Sequence, residues 1–237
     1  MEHGITWAGL LFGPLEHLLA EYGVQAEPAI NALIVAVLLI VLAYFAGRRF
    51  RAEDMVDPDG RVTLTYLTEL TISRMQSFYD GIISHGSRPF FPLLGTFTLF
   101  ILTLNLIGLL PGFNPPTDQY NVTIGLALLT FVTSHFVGLK VHGASYIKKF
   151  MGPLWWLSPL MLPIELISHL VRPVSLSVRL FGNMTGDHRV LLIFSSLVAV
   201  GLPVPFLGLG TLVSFLQMFI FVVLSAVYFE DALEEAH

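Results

Sequence analysis

The sequence predicts an all-α integral membrane protein, one domain over residues 1–237, with five transmembrane elements and a cytoplasmic-side amphipathic helix. Composition is the first observation: 54% of the residues are hydrophobic and only 12% are charged, whereas soluble domains have about 25% charged residues. The second is the recurrence of long apolar runs separated by turn-rich or basic stretches. The third is the placement of lysine and arginine on alternate connections, which is typical of a chain that crosses a bilayer repeatedly.

The first predicted span, residues 29–46, contains no charge and ends at the basic cluster Arg48-Arg49-Phe50-Arg51. Before it, the outer N-terminal segment of residues 1–28 has glutamates but no lysine or arginine. A secretory signal peptide requires a basic start, so this segment is not predicted to be one. The sequence leaves two alternatives for this segment, a short interfacial helix and a mobile tail.

Residues 61–83 are predicted to form an amphipathic helix in the plane of the membrane. Their apolar residues recur at helical spacing among threonine, glutamate and arginine, so the segment is too polar to span. The second predicted span, residues 90–110, is broken by Pro111-Gly112. The third, residues 122–139, ends at Lys140.

The last two predicted elements, residues 159–200 and 206–229, form a helical hairpin. At ~1.5 Å per residue, a helix over the first of them would extend about 60 Å, roughly twice the hydrocarbon thickness. It must therefore lie strongly tilted. Pro203 and Pro205 are expected to turn the chain between the two arms.

Five elements that start outside would place residues 47–89 and 140–158, and the C-terminus, in the cytoplasm. The predicted outer segments contain no basic residue, and nine of the twelve lie in the inner ones: Arg48, Arg49, Arg51, Arg61, Arg74, Arg88, Lys140, Lys148 and Lys149. Of the other three, Arg172 and Arg189 are expected to reach the interface and pair with lipid phosphates. Arg179 lies near the middle of the tilted helix, where a charge is costly and marks a functional site.

One face of the tilted helix is polar and small. At about 100° per residue, Gly182, Asn183 and Gly186 share the face of Arg179, whereas His188 lies about 180° away. The two glycines have the Gly-x-x-x-Gly spacing that lets another helix approach closely in lipid. This face is predicted to meet a partner helix.

Several kinds of site are not expected. The chain has no cysteine, which excludes a disulfide, a thiolate metal site and a thiol nucleophile. It has no Gly-x-x-x-x-Gly-Lys-Ser/Thr loop, so we expect no nucleotide site and no enzymatic role for the chain itself. No metal, cofactor or nucleic-acid partner is predicted.

Three motifs carry a resemblance to a known family. Arg172-Pro173-Val174-Ser175-Leu176 precedes Arg179-Leu180-Phe181-Gly182-Asn183-Met184, and Leu216-Gln217-Met218-Phe219-Ile220-Phe221 comes later in the chain. With this topology, the chain resembles the a subunit of the membrane sector of bacterial F-type ATP synthases.

The resemblance implies a stationary proton-channel subunit in the bacterial inner membrane. In this family, protons pass through two offset half-channels to and from carboxylates on an oligomeric ring of small c-type hairpin subunits, which turns. The position that matches Arg179 faces the ring, where its charge makes a passing carboxylate ionise and blocks direct proton leakage. Peripheral-stalk b-type subunits and the lipid bilayer are further expected partners.

The resemblance assigns His188 and Asn105 to the outer half-channel. Asp187, beside His188, is expected to tune it or pair with it, and Asn183 and Gln217 are expected in the outer half-channel or near Arg179. An imidazole can exchange protons at physiological pH; the alternative for His188 is a structural histidine bonded to backbone. Spacing alone would set Gln217 opposite Arg179 or up to twelve residues later, and the resemblance favours Arg179.

Two glycines depart from the family pattern. Some members carry an acid where this chain has Gly108, and a histidine or glutamate where it has Gly210. The expected outer route therefore depends more on His188 and on water.

The resemblance assigns Glu165, Ser175 and Tyr228 to the inner half-channel. Their alternatives are an interfacial carboxylate, a helix-softening hydroxyl and an aromatic-belt tyrosine. His135 and His169 match no family position and are expected to be structural.

Three other functions are open to a membrane chain of this kind. A sodium-translocating a subunit differs only in ligands on the ring. A self-contained secondary transporter requires a paired half, and no internal repeat is evident. A passive scaffold leaves Arg179 unexplained. Co-purification with a ring of small hairpin proteins would separate the first from the other two.

Overall fold

The computed structural model describes residues 26–52, 64–84, 86–110, 113–143, 145–146, 156–197 and 203–234. This part of the chain contains six long helices and no strand. The helices are α1 Ala26–Ala52, α2 Leu64–Asp80, α3 Phe91–Ile107, α4 Tyr120–His142, α5 Ser158–Leu197 and α6 Pro203–Leu233. A short 3-10 turn, Pro116–Asp118, precedes α4.

Four of these helices are long and apolar enough to cross a membrane: α1, α4, α5 and α6. The fifth apolar helix, α3, has 17 residues and would extend about 26 Å, slightly less than the hydrocarbon thickness. Large apolar side chains are exposed along all of them, as lipid-facing surfaces require. Helix α1 is the extreme case, since only 11% of the stretch Pro28–Phe45 is buried.

The helix bounds differ from the predicted ones in two informative ways. Helix α1 continues beyond residue 46 through the basic cluster to Ala52, because arginine is a good helix former even where it ends an apolar run. Pro203 and Pro205, expected to turn the chain, instead begin α6. Proline suits the first turn of a helix, whose N–H groups have no intrahelical acceptor. The predicted outer segment, residues 1–28, lies almost wholly outside the described residues.

The core forms where α3, α4, α5 and α6 pack together. Side chains from all four helices are buried there: Leu94, Phe97, Ile101, Ala127, Leu176, Leu180, Met184, Phe221, Ala226 and Phe229. Helix α2 joins them through Tyr79, whose hydroxyl lies 2.7 Å from the Thr98 hydroxyl on α3. Lipid tails are as apolar as leucine, so close packing and polar contacts hold these helices together.

Helices α5 and α6 run antiparallel in contact. Arg172 pairs with Asp231 at 2.6 Å, Asn183 with Gln217 at 2.6 Å, and the rings of Phe194 and Phe206 stack at 4.1 Å between centroids. The sequence separation within these pairs shrinks steadily toward the connection. These contacts fix the register that spacing alone left open, placing Gln217 beside Asn183, one helical turn from Arg179.

Candidate functional site

The face of α5 around Arg179 is exposed and, apart from Arg179 and Asn183, carries small residues. Arg179, Gly182, Asn183, Gly186 and Ser175 are all exposed. A Cβ atom added at either glycine would meet nothing within 4 Å. Among the described residues, Arg179 has no ion-pair partner. An uncompensated guanidinium midway along a long apolar helix is costly unless an anion from outside the chain approaches it.

An amide pair lies one turn beyond Arg179. The Asn183 side chain donates from Nδ2 to Oε1 of Gln217 at 2.6 Å, and Gln217 is 2% exposed. The other amide atom of Gln217, Nε2, is buried without a partner in the described part of the chain. This donor is therefore available to a water molecule or to an incoming oxygen.

The predicted outer end gathers polar groups from α3, α5 and the 3-10 turn. Asn105 on α3 is buried and accepts a hydrogen bond from the Thr117 hydroxyl at 2.8 Å. On α5, the Thr185 hydroxyl lies 3.5 Å from the backbone oxygen of Asp118. Nδ2 of Asn105 and Nδ1 of His188 are buried without partners among the described residues. Buried, unpartnered polar atoms of this kind mark sites where ordered water belongs.

A steric contact explains each of the two glycines that depart from the family pattern. A Cβ at Gly108 would overlap the Pro115 ring, so this position cannot carry an acid while the loop packs against it. A Cβ at Gly210 would lie 2.5 Å from Oδ2 of Asp187 and 2.7 Å from the Leu109 side chain. The Asp187 carboxylate thus occupies the space that a side chain on α6 would fill.

The predicted inner end contains an ion pair and an aromatic ring. Arg172 pairs with Asp231, and its guanidinium carbon lies 5.3 Å from the centre of the Tyr228 ring. Glu165 Oε1 lies 3.2 Å from Nε2 of His169, one turn along α5. Ser175 is exposed and donates only to the backbone oxygen of Arg172 among the described residues. Arg172, expected to pair with lipid phosphate, is therefore matched within the chain.

The predicted site residues thus form three groups along α5. Asn105, Asp187 and His188 lie at the predicted outer end, Asn183 and Gln217 beside Arg179, and Glu165, Ser175 and Tyr228 at the predicted inner end. No group of three or more histidine, aspartate or glutamate side chains in the described part could hold a metal ion.

Sequence reasoning missed several polar groups. Thr117 and Asp118 lie in a turn without helical periodicity. Asn31 is 3% exposed on the mostly lipid-facing α1, and its Nδ2 lies 3.4 Å from the backbone oxygen of Asn114. A lone asparagine in an apolar run was the available signal, because an unmatched amide in lipid is unfavourable. The rings of His135 and His169, both expected to be structural, have their centroids 5.2 Å apart.

Comparison with known proteins decides the family. The family model described as ATP synthase A chain matches residues 29–230. The ATP synthase subunit a of Trichlorobacter lovleyi is 42% identical over 237 residues, covering 100% of both chains. That of Geobacter sulfurreducens is 43% identical over 204 residues, 86% of each chain. ATP synthase subunit a 1 of Syntrophotalea carbinolica is 45% identical over 207 residues, 87% of this chain and 86% of its own.

The chain belongs to the ATP synthase A chain family.

This membership confirms the resemblance found in the motifs around Arg179 and Gln217. An ATP synthase A chain takes part in ATP synthesis and ion transport within a membrane, and the apolar helices of this one fit a multi-pass membrane protein. The family match begins inside α1 and ends within α6, so it includes all three groups of candidate residues.

Proposed function

We propose that this chain is the stationary proton-channel subunit of a rotary F-type ATP synthase in the bacterial inner membrane. The observation that carries the proposal is Arg179 itself, a charge that has no ion-pair partner among the described residues and lies on an exposed face of small residues. Its partner is an oligomeric ring of c-type hairpin subunits, each with one carboxylate. The chain itself binds no nucleotide.

Arg179 controls the protonation of the passing ring carboxylate. A guanidinium stays charged at every accessible pH, so it favours the ionised carboxylate and makes it release its proton. The same group cannot relay a proton, so it separates the two half-channels. The α5–α6 hairpin, lying tilted across the bilayer, presents this charge to successive ring subunits.

Protons reach and leave the ring at different ends of α5. Asn105, Asp187 and His188, with water at their unpartnered atoms, form the outer half-channel. Glu165, Ser175 and Tyr228 form the inner one. With the basic connections in the cytoplasm, the N-terminus lies outside and the C-terminus inside. Five membrane crossings then include the short helix α3, and b-type stalk subunits complete the stator.

A sodium-translocating subunit is the second candidate. The ligands that would select sodium over protons lie on the ring subunits and not on this chain.

Removing the charge tests the proposal. We expect Arg179→Ala to abolish ATP-driven pumping in vesicles that contain the assembled complex, and to leave a passive proton leak. Arg179→Lys should also fail to pump. A lysine buried against the ring can lose its proton, and it lacks the planar fork that holds a carboxylate.

The matched control is Arg74→Ala, which removes an exposed arginine from α2 and should pump like the wild type. Assembly is verified separately by co-purification with the ring. Near-normal coupled pumping by an assembled Arg179→Ala complex would falsify the proposed function.

A further inference from the structure

Ser214 on α6 carries a buried hydroxyl that belongs to none of the three groups of candidate residues. Its side chain is fully buried, and its Oγ has no hydrogen-bond partner among the described residues. Other hydroxyls of α5 and α6 donate to a backbone oxygen of their own helix, namely those of Ser175, Ser177, Ser196, Thr211 and Ser225. Ser214 differs from them, and a buried hydroxyl that stays unpartnered is unfavourable.

Ser214 lies on the face of α6 that meets α5. At about 100° per residue, Gly210, Ser214 and Gln217 fall within about 60° of one another around α6. The residues on either side of Ser214 both contact polar groups of α5. The Asp187 carboxylate lies against Gly210, and the Asn183 amide donates to Gln217 at 2.6 Å. Ser214 is therefore placed between two polar contacts of one helix interface.

The two polar contacts are too far apart to be joined by a direct hydrogen bond. The backbone of α6 rises about 10.5 Å from Gly210 to Gln217, whereas a hydrogen bond joins atoms about 2.7–3.2 Å apart. Ser214 divides this rise into one step of about 6 Å and another of about 4.5 Å. A water molecule that bonds on two sides bridges about 5.5 Å, which is close to either step.

The chemical groups along this line suit bound water. A serine hydroxyl both donates and accepts, so it can bond to a water molecule on each side. Nε2 of Gln217 is a buried donor with no partner in the described part of the chain, and the Asp187 carboxylate supplies acceptors at the other end. Each water would then have two polar partners, as a buried water requires.

We propose that α5 and α6 hold a short file of bound water at Ser214, which connects Asp187 and His188 at the predicted outer end to the amide pair beside Arg179. The inference rests on the proposed function and adds Ser214 to the outer half-channel. When a proton arrives at the water on one side, the Ser214 oxygen accepts it and releases its own proton to the water on the other side. The hydroxyl is then neutral again, and one proton has moved along the file.

The first test measures ATP-driven proton pumping by the complete complex in liposomes. We compare the wild type with Ser214→Ala and Ser214→Thr, and verify assembly by co-purification with the ring. Alanine removes the hydroxyl, so we expect pumping to fall about fivefold, the factor that one hydrogen bond of ordinary strength represents. Threonine keeps the hydroxyl and should retain most of the pumping.

The second test measures the thermal midpoint of unfolding of this chain in the detergent-solubilised complex. If the hydroxyl had no partner at all, alanine would remove an unfavourable buried group and raise the midpoint. If the hydroxyl is bonded to water, alanine removes favourable bonds, and the midpoint stays the same or falls. We expect the second result.

The matched control is Ser225→Ala. Ser225 is equally buried on the same helix, and its hydroxyl donates to the backbone oxygen of Phe221, so its variant should pump like the wild type. Wild-type pumping by an assembled Ser214→Ala complex, or a raised thermal midpoint, would overturn the water file. An equal loss in Ser214→Thr would assign Ser214 a packing role and would also overturn it. Failure of the proposed function is separate, since it shows as coupled pumping in Arg179→Ala whatever Ser214 does.

Discussion

Arg172 and Arg179 lie two turns apart on α5 and have opposite surroundings. Arg172 is matched by Asp231 and by the Tyr228 ring, both on α6. Arg179 has no anionic partner within the described residues. An uncompensated charge in lipid is costly. The contrast therefore indicates that Arg172 joins two helices, whereas Arg179 requires an anion from a partner chain.

His188 gives a prediction at the scale of one side chain. If it relays protons, His188→Ala should slow proton uptake from the outer side by about tenfold or more, and His188→Glu should retain a substantial part, because the position requires a titratable group. The measurement is ATP-synthesis-coupled proton flux in vesicles carrying the assembled complex. Equal, near-wild-type rates in both variants would show that His188 is structural; His142→Ala serves as the control.

The composition of the α5 face around Arg179 could be predicted from the sequence, because helical periodicity alone places Gly182, Asn183 and Gly186 on it. Periodicity could not place Gln217, since the connection between α5 and α6 had several possible centres. The sequence could not predict the contact between His135 and His169 either. It depends on how α4 packs against α5, and nothing local to either histidine specifies that packing.

At the scale of helices, hydropathy located each apolar run but not the end of each helix. It measures transfer to lipid, whereas a helix continues wherever backbone hydrogen bonds continue, as α1 does past Arg48. A proline such as Pro203 is compatible with two local structures, a turn or the first turn of a helix. The choice depends on the chain before it and not on the proline itself.

Two glycines of α4 provide a matched stability test. A Cβ at Gly138 would overlap the ring of Tyr146, which is 5% exposed, whereas a Cβ at Gly125 would meet nothing within 4 Å. We expect Gly138→Ala to lower stability by about 1–3 kcal/mol through overpacking. Gly125→Ala should be neutral or slightly stabilising, because alanine favours helix more than glycine does.

The readout for both alanine variants is the thermal midpoint of unfolding of this chain in the detergent-solubilised complex. Equal midpoints for the two would contradict the close contact between α4 and the Tyr146 segment.

For the whole molecule, the expected orientation can be tested with thiol labelling. The natural chain has no cysteine, so single cysteines report without background. Asn121, at the start of α4, and Ser145, three residues after its last residue, are both exposed. An impermeant thiol reagent should label Asn121→Cys only from outside and Ser145→Cys only from the cytoplasm. Labelling of both from one side would contradict a crossing by α4, and the reverse pattern would invert the proposed orientation.

The small-residue face of α5 has a mechanical consequence. Helices that interlock bulky side chains must climb a steric barrier before they can shift past each other. Gly182 and Gly186 have no side chains that could interlock, so they place no steric barrier against the movement of a neighbouring surface past Arg179. Under the proposed function, we therefore expect the attraction between Arg179 and a ring carboxylate, and not the disengagement of interlocked side chains, to set the energy of each step.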